Sequence, residues 1–321
     1  MSNKVSQAHA LIARGDVRGA ARILEQAEQT GDALGARELA LWYLEGRLLR
    51  RDLATSRALF ERAAALGDAT SATVVRAFVA GGVGGPADWP RAIDMLRQAA
   101  PGDPQAAAQL QLIEAMTLGP DGEPAGTFAA EKLCDGPEVQ AFLALFSPAE
   151  CDYLIRTAGP MLQPSIVIDP HTGRHIPNPV RTSSGAVFPF VDENPAIHAL
   201  NRRLAAASGS DVRAGEPMWV LHYAPGEQYH EHSDVLPGIA PSQQRVMTFL
   251  VYLNEDYEGG ETVFPAGGVK FRGRAGDGLL FRNAAPDGTP DPRSVHAGLP
   301  VTRGIKHLAS RWIRAAPLVL E

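Results

Sequence analysis

Apolar and polar positions follow two rhythms along this chain. Up to about residue 118 the apolar residues come at helical spacing, and the pattern repeats. Gly31-Asp32-Ala33 returns 36 positions later as Gly67-Asp68-Ala69, and 35 later as Gly102-Asp103-Pro104. Asp16, Asp52 and Asp88 keep the same interval, as do Leu24, Phe60 and Leu96, and Ala27, Ala63 and Ala99. Trp42 matches Phe78, and Gly46 matches Gly82. A helix pair cannot bury its apolar stripe alone, so the repeat predicts pairs stacked into an α-solenoid, with small Ala positions letting helices approach. The stretch 119–126, GPDGEPAG, breaks any helix and marks a boundary.

Beyond it the rhythm shortens. Residues 142–146 predict a short apolar strand. Ser147-Pro148-Ala149-Glu150 has an N-cap Ser, Pro at N1 and Glu at N3, opening a helix to about Thr157. Asn194-Pro195 opens a second helix that ends near Gly209. Residues 165–169 and 186–190 predict strands flanking a polar loop, 171–181. The run 246–253, VMTFLVYL, predicts a strand covered on both faces, with Thr248, Leu250 and Tyr252 on one side. Gly-rich turns set off further short strands to the C-terminus. Two helices followed by many short strands predict a jelly-roll barrel, a double-stranded β-helix, with supporting helices. The expected fold class is therefore multidomain α and α+β: a solenoid over 1–118, a linker over 119–126 and the barrel over 127–321.

Composition narrows the classes. The 321 residues are 45% apolar and 21% charged, which is globular. A net charge of −6 gives no reason to expect nucleic acid or an anionic membrane as partner. No run is long enough to span a bilayer, and the N-terminal residues lack the apolar core of a signal peptide. Cys134 and Cys151 are not in metal-binding spacing, so reduced thiols and a cytoplasmic location are expected.

The candidate chemistry centres on 221–234, LHYAPGEQYHEHSD. On a strand, His232 and Asp234 project from one face and could offer an imidazole and a carboxylate to one ion. Two His and one carboxylate on one face of an octahedron hold non-haem Fe(II) and leave the opposite face open. His296 is the candidate for the second imidazole, while His230 shares the parity of His232 and could equally face a metal. His296 and Lys306 are ten residues apart, with Pro300 and the Thr302-Arg303-Gly304 turn between them. Two antiparallel strands joined there would bring both to one end of the barrel. Lys306 would then offer a cation to the far carboxylate of a chelating 2-oxo diacid, a charge-assisted bond worth about 1.5–3 kcal/mol. Trp312 shares the inward parity of Lys306. A zinc hydrolase would have no use for that lysine.

Five blocks in order carry a family resemblance: LFSPAECDYLI; RTSSGAVF; the Y-x-x-G-x-x-Y-x-x-H-x-D run of Tyr223, Gly226, Tyr229, His232 and Asp234; RVMTFLVYLN with GGETVFP; and VHAGLPVTRGIKHLASRWIR. Across roughly 127–321 the chain resembles the prolyl 4-hydroxylase family of 2-oxoglutarate/Fe(II) dioxygenases. The resemblance implies Fe(II), 2-oxoglutarate and O2, with ascorbate as reductant. It implies His232, Asp234 and His296 as iron ligands and favours His232 over His230. It places Lys306 on the 2-oxoglutarate C5 carboxylate, Tyr223 and Thr248 completing that pocket, Tyr252 near the cosubstrate, and Tyr229, Trp312 and Arg181 towards the substrate.

Roughly residues 5–117 resemble Sel1-like repeats, relatives of tetratricopeptide repeats. Such repeats either steady the barrel or grip a protein partner. One departure bears on substrate: only about ten residues, 235–244, separate Asp234 from the next strand, shorter than the lid of many peptide-binding relatives. The expected substrate is a prolyl residue in a protein or peptide, docked on the repeats. The alternatives are another amino-acid side chain, a small molecule such as free proline, or a repeat-based adaptor whose barrel is idle.

Overall fold

The computed structural model describes residues 3–168, 175–285 and 287–318. The Asp169 end of one expected strand and residues 171–174 of the expected polar loop lie outside them. The chain divides into two compact units, one built chiefly from Met1–Glu123, the other from Pro124–Pro189 and Leu200–Leu318; Phe190–Ala199 groups with the first.

The first unit shows what the repeated aspartates are for. Its helices are α1 (Asn3–Ile12), α2 (Val17–Gln29), α3 (Ala33–Glu45), α4 (Leu53–Ala65), α5 (Ala69–Gly81), α6 (Trp89–Ala99) and α7 (Pro104–Glu114). Asp16, Asp32, Asp52, Asp68, Asp88 and Asp103 are the N-caps of α2 to α7, each accepting a backbone N–H of the first turn. Gly31 and Gly67 precede two of them at φ +83° and +94°, where a β-carbon would be strained. Two caps also reach the preceding repeat: Arg37 donates to Asp68 at 2.8 Å, and Arg76 to Asp103 at 3.1 Å. Leu24, Phe60 and Leu96, in register along the sequence, are fully buried.

The second unit begins with a hairpin, β1 (Glu131–Asp135) and β2 (Glu138–Phe142). The strand expected at 142–146 therefore ends where it was to begin; Leu143, 67% exposed, belongs to the turn that follows. Helix α8 (Pro148–Ala158) starts in the expected capping box, with both of its hydrogen bonds formed. Next come β3 (Gln163–Pro164), β4 (Ile166–Ile168), β5 (His175–Pro177), β6 (Ser184–Phe188) and α9 (Pro195–Ser208). Asn194 caps α9 through its side-chain oxygen, and Arg203 of α9 grips Glu150 of α8 with two bonds of 2.6 and 2.8 Å.

The barrel strands follow: β7 (Met218–Tyr223), β8 (Tyr229–His232), β9 (Arg245–Tyr252), β10 (Glu258–Gly259), β11 (Thr262–Phe264), β12 (Val269–Phe271), β13 (Gly278–Arg282), β14 (His296–Gly298), β15 (Val301–Arg303) and β16 (Lys306–Arg314). An eight-stranded sheet runs β1-β2-β13-β9-β16-β7-β6-β3, and a four-stranded sheet runs β12-β11-β14-β8. Their inner faces share one core, in which Phe264 of the smaller sheet meets Phe281 of the larger edge-on at 4.9 Å. This is a jelly roll. His296 and Lys306 are not on partnered strands, contrary to the hairpin expected around Pro300. β14 belongs to the small sheet, β16 to the large one, and the chain crosses between them through β15.

No helix among the described residues is long and apolar enough to cross a membrane. The caps carry a testable consequence. Asp68→Ala removes both the bond to Ser71 N–H and the ion pair with Arg37, and should lower stability by about 1–2 kcal/mol in chemical denaturation. Asp68→Asn, which can still cap, should lose less.

Candidate active site

The site is assembled where the two sheets face each other. β14 pairs with β8 so that His296 lies opposite His232, with ring centroids 4.3 Å apart. Asp234 lies two residues past the end of β8 rather than on the strand, yet it still turns in. One donor atom each from His232, Asp234 and His296 lie within 4.8 Å of one another. Both imidazoles are oriented from behind. The Nδ1 of His232 meets His230 O at 2.8 Å, and that of His296 meets Ser294 O at 2.9 Å. A carbonyl only accepts, so each Nδ1 carries a proton, and it is each Nε2 that is turned towards Asp234. Those Nε2 atoms lie 3.6 and 3.8 Å from the two oxygens of Asp234. His230, the competing residue in the sequence, is exposed; its carbonyl serves the site and its ring does not.

The charge states suit a cation. Burial, then His296, pushes His232 down to about 4, so it is neutral near pH 7. Burial works against the Asp234 carboxylate, but His296, His232 and the Thr248 hydroxyl outweigh it and hold the group below its usual range. Thr248 donates to Asp234 Oδ2 at 2.6 Å. The Trp312 indole faces the same carboxylate, although among the described residues its N–H has no partner at hydrogen-bond distance.

These groups open onto a cleft holding about 420 Å³ of empty space, its mouth open to solvent included, whose lining includes Tyr223, Tyr229, Thr248, Lys306 and Trp312, with apolar walls from Leu221, Leu250 and Leu308. At one side sits Lys306, only 2% exposed. Its ammonium donates to Gly260 O at 2.6 Å and lies over the rings of Tyr223 and Tyr252, at 5.4 and 5.2 Å. Among the described residues no carboxylate comes within ion-pair distance of it. Burial pushes its pKa down to about 7. Gly260, at φ +67°, allows this close approach: a β-carbon there would sit 3.1 Å from Lys306 Cδ.

Not every expected residue lines the cavity. The Tyr252 hydroxyl is taken by Thr262 at 2.7 Å and Phe271 O at 3.3 Å; its ring backs Lys306 and it is absent from the cavity lining. Arg181 stands outside, over the ring of Tyr229 at 5.7 Å, with its Nε donating to Ser165. Tyr229 in turn stacks on His232 at 3.5 Å. Three residues escaped notice in the sequence: Thr262, whose side chain reaches the cavity, Gly260, whose carbonyl holds Lys306, and Asn283, which donates to Thr248 at 2.8 Å. The paired glycines before Thr262 were the available signal for the first two; nothing local marks Asn283.

Comparison with known proteins matches this geometry. Residues 218–314 fit the model of the 2OG-Fe(II) oxygenase superfamily. Prolyl 4-hydroxylase 1 of Arabidopsis thaliana is 36% identical over 206 residues, 59% of this chain and 73% of that protein. The chain belongs to the prolyl 4-hydroxylase family. It is a 2-oxoglutarate-dependent dioxygenase, with Fe(II) as its metal and O2 as co-reactant. A solved structure of a viral collagen prolyl hydroxylase from Paramecium Bursaria Chlorella virus-1, in complex with 2OG, aligns at 30% identity and a TM-score of 0.46, covering 57% of this chain and 99% of that one. A Sel1 repeat protein from Oxalobacter formigenes aligns at 25% identity and a TM-score of 0.30, over 34% of this chain and 85% of its own. The side chains suit an oxygenase of this family: two imidazoles and a carboxylate converge on one point, and among the described residues no carboxylate pairs with the buried ammonium.

That lone ammonium has a measurable signature. Its folded pKa of about 7 lies below the ordinary lysine value of 10.5, so between those values the unfolded chain binds more protons and stability rises with pH. Lys306→Met removes the penalty. Without cosubstrate, the variant should melt above the parent at pH 6, and the gap should close towards pH 9.

Proposed function

We propose that the chain hydroxylates a prolyl residue of a protein or peptide, with 2-oxoglutarate converted to succinate and CO2. The observation that carries this reading is the convergence of two imidazoles, a carboxylate and a buried ammonium on one cavity. In it His232 and His296, through Nε2, and Asp234 hold Fe(II). Lys306 pairs with the C5 carboxylate of 2-oxoglutarate, with the Tyr223 ring beside it. Bound there, Fe(II) supplies the reaction of O2 with 2-oxoglutarate that leaves one oxygen atom for the substrate C–H bond.

The chain's own residues do the rest. Leu221, Leu250 and Leu308 keep water from the reacting groups. The carbonyls of His230 and Ser294 fix the imidazole tautomers. Tyr229, braced between His232 and Arg181, forms with Trp312 the side from which substrate arrives. The stacked repeats offer a surface on which a polypeptide carrying the proline can dock.

The test is anaerobic loading with Fe(II) and 2-oxoglutarate, then O2 with a panel of proline-containing peptides and free L-proline, read by intact mass and succinate. A peptide should gain the mass of one oxygen atom, with one succinate formed per oxygen gained. Gain on free proline alone would point to a small-molecule hydroxylase, and a retained peptide without mass gain to an adaptor.

Variants divide the roles. His232→Ala and Asp234→Ala should abolish succinate formation. Lys306→Ala, losing a bond of about 1.5–3 kcal/mol, should raise KM for 2-oxoglutarate about 10–150-fold. Only the protonated amine pairs with a carboxylate. The Kd for 2-oxoglutarate should therefore be flat below about pH 7 and rise with pH above it.

A further inference from the structure

We propose that Asn283 is a positioning residue for the metal-binding carboxylate: acting through Thr248, it fixes which oxygen of Asp234 is left for the ion. This rests on the reading of His232, Asp234 and His296 as the iron site.

The hydrogen bonds run in one direction. Thr248 Oγ1 donates to Asp234 Oδ2 at 2.6 Å, and Asn283 Nδ2 donates to Thr248 Oγ1 at 2.8 Å. Both residues are buried, at 1% and 0% exposure. An ionised carboxylate only accepts, so the single hydroxyl proton of Thr248 must point at Asp234. The hydroxyl's other partner must then be a donor, so it is the amide NH2 of Asn283 that faces it. That orientation leaves Asn283 Oδ1 buried with no protein hydrogen-bond partner among the described residues. The amide is turned to serve Thr248 at the expense of its own oxygen.

The consequence falls on Asp234. Its Oδ2 lies 3.8 Å from His296 Nε2 but already spends a lone pair on the short bond from Thr248, so Oδ1, 3.6 Å from His232 Nε2, is the less encumbered donor for a metal. A carboxylate bound through one oxygen occupies one octahedral position; bound through two, it would take a position needed by cosubstrate or O2.

The main chain of Asn283 reaches the other side of the site. Its N–H donates to Val246 O at 2.9 Å, on the strand that carries Thr248. Its carbonyl accepts from Asp291 N–H at 2.9 Å and from Ser294 Oγ at 3.4 Å. The carbonyl of Ser294 is the one that orients His296. Asn283 thus joins the supports of two ligands, Asp234 and His296, and it is absent from the cavity lining.

The test is the dissociation constant of Mn(II) for the full-length, metal-free protein, read from the electron paramagnetic resonance of free Mn(II), with no turnover involved. Melting of the metal-free variants is measured alongside. Thr248→Val should weaken Mn(II) binding about 10–100-fold, and Thr248→Ser should restore it. Asn283→Leu, similar in size but without a donor, should weaken it about tenfold. Combined with Thr248→Val, it should add nothing further, because its effect passes through the hydroxyl. Asn283→Leu binding Mn(II) as the parent does would overturn the proposal. So would an undiminished tenfold loss in the Thr248→Val background, the mark of a packing role. Should Asn283→Leu not fold, Asn283→Ala is read by the same two criteria. His296→Ala is the separate check on the metal site: unchanged Mn(II) affinity there would sink the iron assignment itself.

Discussion

The register between β8 and β14 is the constraint on which the catalytic end of the molecule depends. It sets His296 opposite His232, and because side chains alternate along a strand, a slip of one residue would turn an imidazole out of the cavity. Much of the surrounding structure holds that register. Phe264 and Phe281 pack on the His296 ring at 5.3 and 4.5 Å, Tyr229 stacks on His232, and two backbone carbonyls take the Nδ1 protons. Little freedom remains for either ring, and such preorganisation is what a metal site needs from its supports.

Lys306 is a different kind of commitment. The barrel closes around an ammonium that has one carbonyl and two aromatic faces for company. Burying a charge without a counter-ion is unfavourable, and Gly260 gives up a side chain to make room for it. The interior is less stable for this, and in return it holds a place for an anion. Stability and function oppose each other at this residue.

How far the residues foretold this arrangement depended on the range of each interaction. The solenoid was legible because its signals are local: each repeated aspartate caps the helix it precedes, so the period and the structure are one fact. The α8 capping box was legible for the same reason. His232, Asp234, His296 and Lys306 were legible through spacing and family blocks, yet the path between the last two was not. Ten residues with a turn suggested a hairpin, whereas the chain crosses from one sheet to the other, a choice made by tertiary pairing. Tyr252 shows the limit of parity: it shares a face with Thr248 and Leu250, but Thr262 captures its hydroxyl. Asn283 could not have been found, since its partner is 35 positions away and no pattern links them.

The aspartates that cap α5 and α7 also receive an arginine from the repeat before. At these two aspartates the helix start and the joint to the preceding repeat are therefore one element. An array built this way can grow or shrink by whole modules without a new interface having to arise.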